Sequence, residues 1–216
     1  MPDDQDRQAQ PRKRDRDTRR TQLIEATIET LAARGYARTT LTEVARTAGL
    51  SHGLVNFHFA TKEGLLNDTL AYLAEEYRRN WTEALAEAGD DPADRLDALI
   101  RADFNPAIST PARQSAWCSF WGEAQSRPIY QERCGSKDED YNRQLEGICG
   151  ELIRKGGYAG DAARFARVIR VTIEGTWLDL ITMKAPYSAP EALATVHTAA
   201  AAFFPRHFGA AGRIGG

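Results

Sequence analysis

From residue 18 onward, apolar side chains recur every three or four positions, and no stretch keeps the two-residue alternation of a strand. The spacing predicts nine helices. The first runs over about 18–34, with Leu23, Ile24, Thr27, Ile28 and Leu31 on one face and Gly35 as its stop. Two short helices follow within residues 40–62, TLTEVARTAGLSHGLVNFHFATK. Thr61 then caps a long helix reaching toward Ala88, with Leu65, Leu66, Leu70, Leu73, Tyr77 and Trp81 as its apolar positions. Further helices are expected near 92–105, 112–126, 129–155, 161–184 and 188–207, divided by prolines and glycines. The fold class is therefore all-α: an N-terminal three-helix helix-turn-helix domain (17–61) precedes a larger helical bundle (62–208). Residues 1–16 are polar, hold two prolines and read as a disordered arm; residues 209–216, GAAGRIGG, read as a flexible tail.

The two short helices carry the strongest local signals. Thr40 with Glu43 three residues later forms a capping box, Gly49 supplies a left-handed turn, and Ser51 caps the second helix. Val44, Ala48, Val55 and Phe59 would face inward, leaving Ser51, His52, Gly53, Asn56 and Phe57 outside. Such a pair can lay its second helix in the major groove of DNA. There Asn56 could pair with an adenine edge, His52 donate to a base or phosphate, and Phe57 touch a thymine methyl. Thr40, His58 and Lys62 would hold register on phosphates. The same residues also suit a helical corner that packs internally.

Net charge is −2, but its distribution is uneven: −2 over residues 1–11, +5 over 12–62 and −5 over 63–216. A basic quarter on an acidic body fits a local phosphate-binding surface, or a solvated tail in which Arg and Asp alternate. Three cysteines without CxxC spacing argue against a disulfide framework or zinc site and for a reducing cytosol. No apolar run is long enough to cross a bilayer, and the N-terminus has no secretory core, so a cytoplasmic protein is expected.

The residues Thr40, Ala45, Gly49, Ser51 and Gly53, the run NFHF at 56–59 and TKEGLL at 61–66 resemble the DNA-binding domain of TetR-type transcriptional repressors. The preceding RRTQLIEATIETLAARGY is similar in length and spacing. The resemblance implies operator contacts at Ser51, His52, Asn56 and Phe57, and phosphate contacts at Thr40, His58 and Lys62. Position 56 is often Tyr and position 52 often Lys in that family, so the operator sequence stays open.

The body is similar to the choline-responsive BetI-type branch at FNPAIS (104–109), AWCSFWGEAQSRPIY (116–130) and TIEGTWLDL (172–180). Trp117, Phe120 and Trp121 form one aromatic stripe at helical spacing, Glu174 and Trp177 sit one turn apart, and Asp103 and Asn105 precede a proline turn. Aromatic faces with a carboxylate suit a quaternary ammonium ion, although a stripe of this kind is more often core. The resemblance implies a small-molecule effector, cationic in this branch, with an unrelated hydrophobic ligand as the alternative. The helices near 161–184 and 188–207 are rich in small and apolar residues, fit either for homodimerisation or for burial within one chain. A dimer would set two reading helices on a double-stranded, pseudo-palindromic operator, as repressor or as activator. No HExxH, GxSxG, Walker loop or dinucleotide fingerprint is present, so neither catalysis nor a cofactor or metal is expected. The acidic run Asp138-Glu139-Asp140 reads as a solvated face, and a protein-interaction module remains the other class.

Overall fold

The computed structural model of the chain describes residues 4–123, 128–184 and 187–214. Among them are nine helices: α1 (Asp4–Arg38), α2 (Leu41–Ala48), α3 (His52–His58), α4 (Lys62–Glu87), α5 (Pro92–Ala102), α6 (Pro111–Glu123), α7 (Pro128–Gly156), α8 (Ala162–Thr182) and α9 (Ala189–Phe203). A two-residue hairpin, β1 (Phe208–Gly209) with β2 (Gly212–Arg213), closes the chain.

Side chains announce most helix starts. Thr40, Ser51, Thr61 and Asp161 each accept a hydrogen bond from the backbone N–H three residues on. Asp91 accepts from Ala93 and Asp94, with Pro92 preset in the first turn. Gly49 closes α2 at φ 65°, ψ 30°, a conformation that costs other residues about 1 kcal/mol or more. Its turn is fixed by Leu50 N–H to Ala45 O at 3.0 Å.

One continuous core runs from Leu23 in α1 to Phe208 beyond α9. Leu23, Ile24, Thr27, Ile28 and Leu31 are all buried, as the α1 spacing requires. The three-helix unit does not hang from a tether. α1 packs along α6 and against α4, while α7 bridges α5, α4 and α8, and α8 lies on α9.

The termini depart from expectation. The segment 1–16 was expected to be disordered, yet from Asp4 it forms the start of α1. Gln, Arg, Lys and Ala are good helix formers and can extend a helix that is already anchored downstream. Gly35, at φ 74° and ψ 170°, breaks the helical geometry where a stop was expected, but helical turns resume to Arg38. The tail expected to be flexible is pinned through Ile214. Phe208 is buried, Ile214 N–H donates to His207 O at 2.8 Å, and Arg213 pairs with Asp94 and Asp91 of the α5 N-terminus. Helix α9 stops at Phe203 rather than near 207, because Pro205 disfavours helical geometry at Phe204. The expected extension to 126 lies outside the described residues.

Candidate functional site

Two regions stand out. The first is the outer face of α3. Val55 and Phe59 are buried, so the helix must turn Ser51, His52, Gly53, Asn56 and Phe57 outward, and all five are exposed. Phe57 is 67% exposed, the largest exposure of any large apolar side chain described. Arg16 lies over the Phe57 ring at 5.8 Å, and Arg20 lies over Phe59 at 4.7 Å while pairing with Asp68 of α4. Burial, followed by the charges of Arg16 and Arg20, holds the His58 imidazole below its usual pKa. The basic end of α1 thus lies beside the far end of α3.

Thr40 and Ser51 are exposed, but their hydroxyls already cap α2 and α3. Glu43, read as the return half of a capping box, directs its carboxylate to Arg34 and Arg46 instead. Lys62 differs most from its expected place. Its ammonium donates to Tyr36 O at 2.8 Å and Ala37 O at 3.1 Å and sits 5.3 Å from the Tyr36 ring centre. It ties the start of α4 to the last turn of α1, a job no local pattern signals.

The second region is a cavity of about 210 Å³ inside the body. α6 contributes Trp117 and Trp121, α8 contributes Trp177, Ile173, Glu174 and Arg170, and the end of α5 contributes Asp103. Five of the seven residues expected to bind an effector therefore meet here. Asn105 and Phe120 do not line this cavity. Asn105 turns to Asn80, donating at 2.7 Å, and caps the Ala107 N–H. Phe120 is buried edge-on against Tyr36 of α1, so one member of the stripe serves the core.

The sequence reading missed Tyr77 from α4, Asp138, Tyr141 and Asn142 from α7, and Arg170 and Ile173 from α8. Tyr77 falls among the apolar positions of the α4 spacing, and the acidic run at 138–140 reads as a solvated face. Glu139 and Asp140 are exposed, and Asp138 is exposed too, but at the cavity. The walls around it, then the charge of Glu174, raise its carboxyl to about 6.

The arrangement is an aromatic box. Tyr77 meets Trp117 and Trp177 edge-on at 6.3 and 6.1 Å, and Trp121 stacks on Trp177 at 6.4 Å. Asp103 forms its floor at 1% exposure. Tyr77 donates its hydroxyl to Oδ1 at 2.7 Å, Tyr141 donates to Oδ2 at 2.9 Å, and Trp177 Nε1–H donates to the Asp103 carbonyl at 3.1 Å. Burial lifts the carboxyl to about 7; the two phenols pull it down and Glu174 adds to the rise. Both tyrosines are pushed well above their usual range by burial and by Asp103. Arg170 is paired with Glu174 on its own helix.

The box also borders the joint to the N-terminal three-helix unit. Arg113, one turn before Trp117, grips Glu76 beside Tyr77 with two bonds of 2.7 and 3.0 Å. It also donates to Glu25 of α1 at 2.9 Å, and Tyr72 donates to the same Glu25 oxygen at 2.8 Å. One guanidinium thus joins α1, α4 and α6.

Comparison with known proteins matches a family model to each part of the chain. Residues 23–69 match the model of bacterial regulatory proteins of the tetR family, and residues 92–205 match that of the BetI-type transcriptional repressor C-terminal domain. The HTH-type transcriptional regulator BetI of Stenotrophomonas maltophilia (strain R551-3) is 31% identical over 168 residues, 78% of this chain and 84% of that protein. Its counterpart from Paraburkholderia xenovorans (strain LB400) is 29% identical over 84% of this chain and 91% of its own length. Among solved structures, a putative transcriptional regulator from Saccharomonospora viridis in complex with choline superposes with a TM-score of 0.72 at 19% identity, covering 83% of this chain and 94% of its own. A putative regulator from Pseudomonas aeruginosa PAO1 gives 0.73 at 24% identity, covering 88% and 91%. No helix of the described residues is long and apolar enough to cross a membrane. The chain belongs to the TetR family of bacterial regulatory proteins, with a BetI-type C-terminal domain, and is a ligand-responsive, DNA-binding transcriptional repressor rather than an enzyme.

Proposed function

We propose that the effector is a small organic cation of the quaternary-ammonium class, held in the aromatic box over Asp103. The observation that carries this reading is the convergence of three indoles and two phenols on a buried carboxyl. Each aromatic face attracts a desolvated cation by about 0.5–2 kcal/mol, and a carboxylate beneath adds direct charge attraction. The choline held by the Saccharomonospora regulator supports the same class. Calorimetric titration with choline and betaine aldehyde is the test. Heat and a thermal shift with either are expected; neither signal with both compounds would sink the cationic assignment and leave the repressor intact.

The operator-reading group is proposed as Ser51, His52, Gly53, Asn56 and Phe57, with Thr40 and His58 beside the phosphates and Lys62 holding α4 in position. The homodimer is proposed to form through α8 and α9. Val168, Val171 and Leu178 of α8 are exposed along one stripe, and Thr195, Thr198 and Ala202 make a flat, small-residue stripe on α9. Two copies of such a pair would pack as four helices and place two α3 helices on a two-fold operator. Ligand binding would then act through Tyr77 on α4 and through Arg113 on α1, changing the spacing between the two reading helices.

A further inference from the structure

The charge balance of the pocket is uneven. Asp103, Asp138 and Glu174 line the same cavity of about 210 Å³, with Arg170 as the cationic side chain facing them, and Arg170 is already paired with Glu174. Asp103 is the most secluded of the three carboxyls. Its flanking groups are Tyr77 from α4, Tyr141 and Asp138 from α7, and Glu174 and Arg170 from α8, while α6 offers only the indoles of Trp117 and Trp121 to the cavity. Two phenols solvate its oxygens but bring no countercharge. A buried carboxylate without a paired cation is costly, and two further carboxylates raise that cost.

We propose that Asp103 is a proton-exchanging countercharge: a permanently charged ligand enters the aromatic box as the Asp103 carboxyl gives its proton to solvent, so that the neutral acid plus cation becomes a carboxylate–cation pair plus one released proton. The upward displacement of the carboxyl to about 7 agrees with this exchange. The inference rests on the cationic-ligand reading and adds two properties to it. Binding tightens as pH rises toward the carboxyl's own pKa and then levels off. The site also discriminates charge, because a neutral ligand of the same shape offers no exchange.

The sign follows from the protonation states. Below about pH 7 the ligand-free pocket holds the proton, so each binding event must expel it, and affinity falls as pH drops. For a free-state pKa near 7 and a bound-state value well below 6, the Kd for choline should fall roughly tenfold between pH 6 and pH 8.

The experiment is calorimetry of the full chain with choline at pH 6 in buffers of differing ionisation enthalpy, repeated at pH 8.5. The observed heats should report proton release approaching one per site at pH 6 and near zero at pH 8.5. The neutral carbon isostere 3,3-dimethylbutan-1-ol should bind more weakly and release none. Asp103→Asn should remove most of the release, leaving at most the fraction that Asp138 still holds at pH 6, whereas Asp138→Asn should keep most of it. Choline binding whose heat is independent of the buffer at pH 6 would overturn proton exchange and leave the cationic site standing. Release lost in Asp138→Asn but kept in Asp103→Asn would overturn the assignment to Asp103. No choline heat in any buffer would overturn both readings together. The wild-type buffer series decides whether a proton is exchanged, and Asp138→Asn, at an exposed side chain, still decides the assignment if the Asp103 variant folds poorly.

Discussion

Replacing Asp103 with Asn removes a buried acid while keeping an acceptor for Tyr77. In the folded chain the carboxyl titrates near 7, against 3.8 for a free side chain. Between about pH 4 and pH 7 the native state holds a proton that the unfolded chain has lost, so stability falls as pH rises through that window. Above it the full cost is present, on the order of a few kcal/mol. Asp103→Asn should therefore raise the melting temperature of the ligand-free protein at pH 8 and change it little at pH 4, measured by calorimetric melts. On α3, Asn56→Ala should cost specific operator binding about 1–3 kcal/mol while leaving non-specific binding nearly unchanged, measured by competition gel shifts. Equal losses would make Asn56 a scaffold residue. These two residues also mark how far the sequence could be read. Asn56 is placed by its immediate neighbours: Ser51 caps the helix and Val55 and Phe59 point inward, so the outer face follows from local spacing. Tyr77 and Tyr141 could not be found that way. Their hydroxyls meet at Asp103 from residues 26 and 38 positions away, and nothing local says which side of a long helix faces another. An Arg170–Glu174 pair one turn apart was the one signal on hand for the missed rim.

At the scale of elements, the joint between α1, α4 and α6 adds a charged clasp to its apolar packing. Arg113 is 14% exposed and its partner Glu76 13%, so both are largely desolvated. Removing one member of such a pair leaves the others uncompensated. Arg113→Gln should destabilise the fold by about 1–3 kcal/mol in urea denaturation, with choline affinity little changed because Arg113 does not line the cavity. Unchanged stability would show that the α1–α6 packing alone holds the joint. The helix starts were legible because Thr40, Ser51, Thr61, Asp91 and Asp161 cap through short-range bonds. The termini were not. Low apolar content marked both as loose, yet one end extends an anchored helix and the other is fastened by Phe208 and by Arg213 to distant acids of α5.

Across the whole molecule, the exposed stripe of α8 sets the expected assembly. Val171 and Leu178 are 51% and 49% exposed and lie two turns apart on one face. Val171→Asp with Leu178→Asp should convert dimer to monomer in sedimentation while leaving the monomer fold intact, since neither side chain is buried within the chain. A dimer that survives the pair of charges would move the interface elsewhere. Operator binding should fall with the dimer, because a single α3 reads only half of a two-fold site. The tryptophans carry one more consequence. The chain has four, at 81, 117, 121 and 177; three line the aromatic cavity and the fourth rests against Tyr141 at 5.8 Å. All the intrinsic indole emission of the molecule therefore originates within or beside one chamber, with no distant indole to dilute it. The protein is its own optical gauge: without dye or label, its ultraviolet fluorescence should follow how full that chamber is.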